Sequence, residues 1–278
     1  MPACGAGRCN APEEELSAAE QYAEAGLRLD LGGEVATVTL SRPERLNAQT
    51  PQLWLALREI GRTLTGEVRV VVVRGEGRAF SAGLDRDAFT PQGLPGGKGL
   101  AEIAGMPVDE AEDLIRSFQE AFGWLARPDL VSIAAVQGHA IGAGFQLALA
   151  CDIRLVADDA QFCMAEPSLG LVPDLGGTKR LVDAVGYSRA VEICLTARRV
   201  GAAEADRLGL ATLVVPRDQL DTAVADLAAA VLAVPRGAGV ETKALLAGAG
   251  GRSQAEQEAA ERAAQVRRLR ELAGHGEG

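Results

Sequence analysis

Two runs of β-branched and small apolar residues, 68–73 (VRVVVV) and 131–136 (VSIAAV), are each followed by a loop rich in small residues. A run this apolar, without polar alternation, fits a strand covered on both faces, as in the parallel sheets of α/β proteins. The loops are residues 77–85 (GRAFSAGLD) and 137–146 (QGHAIGAGFQ). Small residues at such turns let a ligand come close to the backbone and leave amide N–H groups free. Where a helix begins at once, as at Ala143, its dipole adds to the pull on an anion. Two such amides converging on one point would form an oxyanion hole.

The rest of the chain supplies partners for these strands. Residues 27–31 and 35–40 alternate in polarity around Gly32-Gly33, a hairpin signal. Residues 51–64, 109–126 and 142–150 carry apolar side chains at helical spacing, and Pro128 stops the second of these. Residues 153–157, 160–164 and 212–215 read as further strands, and helices dominate beyond Thr178. The first 24 residues lack periodicity and read as a mobile leader. This predicts an α/β core of ββα units over 25–200, after a leader over 1–24. A helical region over 201–278 then caps the site or serves oligomerisation. Its last run, 254–272, is amphipathic.

Composition excludes several function classes. The 278 residues include 28 basic and 38 acidic side chains, a net charge of −10, which argues against nucleic acid or an anionic membrane as partner. No apolar stretch is long enough for a membrane helix. Residues 1–10 lack a signal-peptide core, so a cytoplasmic protein is expected. The two histidines are His139 and His275, and the five cysteines are an odd number. Free thiols, no disulfide framework and no metal site are therefore expected. Phosphate-loop, dinucleotide and hydrolase-elbow motifs are each broken at a required position.

The two loops together resemble those of the crotonase superfamily, the enoyl-CoA hydratases and isomerases. Residues 41–48 (SRPERLNA) look like that family's CoA-binding loop, and residues 150–154 (ACDIR) like the segment after the second loop. Residues 162–166 and 169–178 (LGLVPDLGGT) look like its catalytic stretch. The resemblance implies a crotonase spiral of ββα units with a C-terminal helical region. The chain would act on an acyl-CoA substrate, with CoA part of the substrate and no separate cofactor, and would form a homotrimer or a dimer of trimers. Carried over by position, the amides of Ala82 and Ala143 hold the thioester oxygen. Arg45, Leu46, Gly83, Leu84, Asp85, Gly142 and Gln146 contact the substrate.

The acid and base decide the reaction. The resemblance places Glu166 as the carboxylate that moves protons, with Asp174, used by some isomerases of the family, sharing or supporting that role. Family hydratases carry a second glutamate where this chain has Gln146, which cannot take up a proton at neutral pH. The expected reaction is therefore a double-bond shift from the 3,4 to the 2,3 position of an enoyl-CoA, through an oxyanion-stabilised enolate. Phe162, Met164, Leu169 and Leu171 are expected to form the apolar pocket that makes Glu166 a competent base. Hydration of a 2-enoyl-CoA is the alternative, and a non-catalytic crotonase-fold partner protein a second. The related serine proteases leave only Ser81, Ser168 and His139 as candidates for a triad. The loop over 91–106 is expected to shape the acyl pocket.

Overall fold

The computed structural model describes residues 17–90 and 99–274. Helix α1 (Ala18–Glu24) is opened by a capping box between Ser17 and Glu20 and buries Tyr22. It lies within the stretch read as a leader; residues 1–16 fall outside the described residues. Strands β1 (Leu27–Gly32) and β2 (Val35–Leu40) form the expected antiparallel hairpin, turned at Gly33 with φ +65°. Then come α2 (Pro51–Thr63), capped by the Thr50 hydroxyl, and β3 (Val70–Gly75). Two helices, α3 (Leu100–Ala104) and α4 (Val108–Gly123), precede β4 (Val131–Val136).

From β4 the chain steps into β5 (His139–Ile141), then α5 (Ala143–Ala150), β6 (Ile153–Ala157) and β7 (Gln161–Cys163). Helices α6 (Gly177–Val185) and α7 (Tyr187–Thr196) follow, then β8 (Val200–Gly201), α8 (Ala202–Leu208) and β9 (Leu213–Val215). Three helices close the chain: α9 (Leu220–Leu232), α10 (Arg236–Ala249) and α11 (Gln254–Leu272). The larger sheet has the order β1-β2-β3-β4-β6-β9, parallel except for the first pair. The smaller has the order β5-β7-β8. Because β4 runs on into β5 and β6 into β7, the chain passes twice from the larger sheet to the smaller before each helix. This is the expected ββα spiral.

The apolar runs are buried on both faces, as read. Val70, Val72, Ile133 and Ala135 pack with Leu220, Val224 and Ala228 of α9. Val71, Val73, Ala134 and Val136 point into the main core on the other face. There Trp54 of α2 stacks against Phe118 of α4 at 5.0 Å between ring centroids. On α11 only Ala264 is buried, while Val266, Leu269 and Leu272 stand exposed. No single helix among the described residues is long and apolar enough to cross a membrane.

One side chain ties the segment before α2 to the loop after β3. Asn47, 1% exposed, donates its amide to the carbonyls of Glu76 and Ala79, both at 2.8 Å. Its Oδ1 accepts the Arg42 N–H at 3.0 Å. Leu46 and Asn47 both adopt left-handed backbone angles, φ 53° and 54°, which Asn tolerates better than most residues. Asn47→Ala leaves these groups without the Asn47 amide and strains the turn. At roughly 1–3 kcal/mol per orphaned buried group, urea unfolding is expected to show a loss of about 2–4 kcal/mol. Asn47→Gly, which keeps the backbone freedom, is expected to recover only part of it.

Candidate active site

The two glycine loops lie edge to edge. The N–H of Phe80 donates to Gln137 O at 2.8 Å, that of Ser81 to His139 O at 2.8 Å, and that of Ile141 to Ser81 O at 3.0 Å. This lateral pairing, which adds a bridge between Ser81 and Ala140 on the edge of β5, brings backbones closer than side chains would permit. A Cβ on Gly144 would lie 2.7 Å from the Ser81 carbonyl oxygen. One on Gly83 would lie 2.5 Å from Ile141 O and 3.5 Å from the Ala143 nitrogen.

The pairing decides which amides are free. The Ala82 N–H donates to Leu46 O at 2.9 Å, so the expectation that it faces a ligand is corrected. Two residues on, the bonds Gln49 N–H to Gly83 O (2.7 Å) and Asp85 N–H to Gln49 O (2.8 Å) flank Leu84 on both sides. The Leu84 N–H itself has no acceptor among the described residues. The same holds for Ala143, the first residue of α5, which follows Gly142 with φ +52°. The outward amides are therefore those of Leu84 and Ala143. Leu84, read from sequence only as a contact residue, takes the place given to Ala82.

Beside Ala143 sits Glu166. A Cβ on Gly142 would lie 3.2 Å from Glu166 Oε1 and 3.6 Å from Oε2, a tight contact at a residue whose φ of +52° already favours glycine. Oε1 accepts from Gln146 Nε2 at 2.7 Å, whereas Oε2 is buried without a hydrogen-bond partner. Burial pushes the Glu166 pKa above the usual carboxylate range; the Gln146 bond opposes this, and nearby Asp174 adds to it. Asp174 is half-buried and is likewise raised by burial. Its carbonyl accepts from Gln119 Nε2 of α4 at 2.7 Å, a contact the sequence reading did not include. Phe162 and Met164 are fully buried as expected, but Leu169 and Leu171 stand 58% and 37% exposed and do not wall the carboxyl in. Residues 91–98 of the expected acyl-pocket loop fall outside the described residues, and α3 occupies most of the remainder.

Two of the other expected contact residues, Arg45 and Asp85, are paired with each other. Arg45 binds Asp85 at 2.7 Å and Asp87 at 2.8 Å, and Arg42 binds the other Asp85 oxygen at 3.0 Å. Burial alone would raise the Asp85 pKa. Hydrogen bonds from Arg45, the Asp87 N–H and Arg42 overcome it and hold the carboxyl below the usual range. The Ser81 hydroxyl donates to Asn47 O at 2.8 Å, and that of Ser168 to Ala165 O at 2.7 Å. No serine–histidine hydrogen bond exists among the described residues, so a triad is not assembled.

A family model described as enoyl-CoA hydratase/isomerase matches residues 30–272. A "Probable enoyl-CoA hydratase" of Mycobacterium tuberculosis is 35% identical over 190 residues, 68% of each chain. The peroxisomal Delta(3,5)-Delta(2,4)-dienoyl-CoA isomerase of Arabidopsis thaliana is 32% identical over 205 residues, 73% of each. A Thermobifida fusca crystal structure in complex with CoA superposes with a TM-score of 0.87 at 54% identity, covering 92% of this chain and 97% of that one. A second, in complex with acetoacetyl-CoA, gives 0.87 at 53%, covering 91% and 98%.

The raised Glu166 pKa has a consequence for stability. The unfolded chain ionises this carboxyl first, so the folded state loses stability as pH climbs from the unfolded pKa through the folded one. The neutral isostere Glu166→Gln escapes that loss. Thermal melts are expected to show equal stability near pH 4 and a mutant advantage that opens as pH rises to 8.

Proposed function

The chain belongs to the enoyl-CoA hydratase/isomerase family, and from that premise we propose that it shifts the double bond of a 3-enoyl-CoA to the 2,3 position. The thioester oxygen accepts from the Leu84 and Ala143 amides. Glu166 Oε2 takes a proton from C2; the C2–H electrons form a C1–C2 double bond while the carbonyl π electrons move onto the thioester oxygen. Collapse of this dienolate re-forms the carbonyl, places the double bond at C2–C3 and sends the C3–C4 π electrons to C4. A proton is then delivered to C4. Asp174, close enough to raise the Glu166 pKa, shares the transfer. CoA is part of the substrate, so the reaction needs no separate cofactor. Fixed main-chain donors suit a charge that develops on oxygen, because they do not reorganise as it grows.

The observation that carries this reading is the unpaired, buried Glu166 Oε2 beside Gly142, the residue that precedes the free amide of Ala143. A carboxylate with one oxygen anchored and the other open is equipped to move a proton. Hydration is the second reading, favoured by relatives that bear the name enoyl-CoA hydratase. It needs Glu166 to activate water unaided, because Gln146 Oε1 already accepts from Leu175 N–H at 2.9 Å and Gly177 N–H at 3.2 Å. The exposed Val266, Leu269 and Leu272 of α11 support assembly into the trimer or dimer of trimers that the family resemblance implies.

Incubation with a 3-enoyl-CoA in deuterated water, followed by mass spectrometry, separates the two readings. Isomerisation is expected: a conjugated product carrying deuterium at carbon and no added water. A product heavier by one water would establish hydration instead. Glu166→Gln is expected to lower kcat by about 10²–10⁴-fold, the usual scale for losing a positioned acid or base, and Asp174→Asn by less.

A further inference from the structure

Helix α5 is buried along all eight residues, and its one polar side chain is Gln146. That side chain makes three hydrogen bonds to two separate segments. Nε2 donates to Glu166 Oε1 at 2.7 Å, while Oε1 accepts the main-chain N–H groups of Leu175 and Gly177. The second segment is the turn that leads from Asp174 into α6. It is packed tightly on the same side chain, since a Cβ on Gly177 would lie 2.7 Å from Gln146 Cγ. Gln119 holds the turn from its other end through the Asp174 carbonyl. The two amide bonds at Oε1 settle which end of the Gln146 side chain faces Glu166: the donor end.

We infer that Gln146 is a positioning residue that anchors one oxygen of Glu166, turns the other toward the substrate, and holds the Asp174-bearing turn beside it. The inference rests on the proton-transfer reading above for what Glu166 does, but its geometry stands on its own. A side-chain amide suits the position because it accepts on one side and donates on the other without carrying charge at any pH. A glutamate there could still accept from Leu175 and Gly177, but when ionised it would set its charge against Glu166. A leucine or methionine would leave two buried amide N–H groups and Glu166 Oε1 without partners. Gln146 therefore does not hold a water in place of a lost carboxylate. It organises the carboxylate that remains.

Asp174 on the turn is the titratable group that acts on Glu166, and Glu166 in turn acts on Cys163 of β7 and Cys194 of α7. None supplies a compensating positive charge, so the Gln146 bond is the side-chain contact opposing burial. The test uses the full-length protein with Gln146→Met and Gln146→Glu, the second isosteric in case the first folds poorly. Kinetics against pH on a 3-enoyl-CoA are combined with a ¹³C NMR titration of labelled glutamate, the Glu166 signal being assigned by its loss in Glu166→Gln. Gln146→Met is expected to lower kcat by about 10–100-fold, the scale of a small misplacement of a reacting group, with KM changed less than about threefold. Both variants are expected to move the acidic limb of the kcat profile, and the Glu166 NMR midpoint, to higher pH. An unmoved NMR midpoint in both variants overturns the inference. So does a kcat loss that only tracks the folded fraction. Should the wild-type chain turn over no 3-enoyl-CoA, the functional reading fails, while the NMR titration still decides the role of Gln146.

Discussion

The site depends on the edge-to-edge approach of two main-chain segments, 80–85 and 137–143. Backbone N–H groups are obligatory donors, and nearly all of those along the first segment find partners. The amides of 80 and 81 bond to the second loop, those of 82 and 85 to the segment around Leu46 and Gln49, and that of 83 to the Ser81 hydroxyl. What remains is the amide of Leu84, and beside it the first amide of α5. The chemistry is thus set by which donors the scaffold leaves over. Gly83 and Gly144 permit the approach, and Asn47 and Gln49 hold the third segment against it.

Buried acids on either side of this pairing are treated in opposite ways. Asp85 is met by two arginines and a main-chain N–H, which keep it charged as a structural anchor. Glu166 and Asp174 form no ion pair among the described residues, and burial raises both. A cation beside either would hold it as a carboxylate and weaken it as a base. Gln146 gives Glu166 orientation through one hydrogen bond without adding charge. Within one small region the chain separates an acid held charged by its partners from acids whose pKa burial raises.

Much of this was legible in the residues. Apolar runs marked β3 and β4, Gly32-Gly33 marked the hairpin, and the positions of Glu166 and Gln146 followed from the family resemblance. The oxyanion amide did not. Gly83, at φ +84°, interrupts the extended backbone between them, so strand alternation does not fix the N–H directions and choosing between residues 82 and 84 needs the identity of the neighbours. Those neighbours, Leu46 and Gln49, lie more than thirty residues away in the sequence and pair through main-chain atoms that carry no residue signature. β5 was hidden for a similar reason: three residues inside a glycine loop show no periodicity, and they form a strand only because Gln161–Cys163 and Ser81 lie alongside. The short hydrogen bond from Gln119 to Asp174 O is equally silent in sequence, since an exposed glutamine on an amphipathic helix reads as solvent-facing.

A double-bond shift needs a base at one carbon and an acid at another, and the pair Glu166 and Asp174 is suited to hold both forms at once. Each is disfavoured as a carboxylate by burial, and the charge on Asp174 further disfavours charge on Glu166. Ionisation of one therefore makes ionisation of the other harder. With one of the two ionised and the other protonated, the site would carry one negative charge and one acidic proton. That is the inventory required to take a proton from C2 and give one to C4. Hydration makes a different demand, a general base facing an ordered water, and the side-chain oxygen best placed to order it, Gln146 Oε1, is held by two main-chain amides. The proposal of proton transfer over hydration thus rests on where a single side-chain amide directs its two ends.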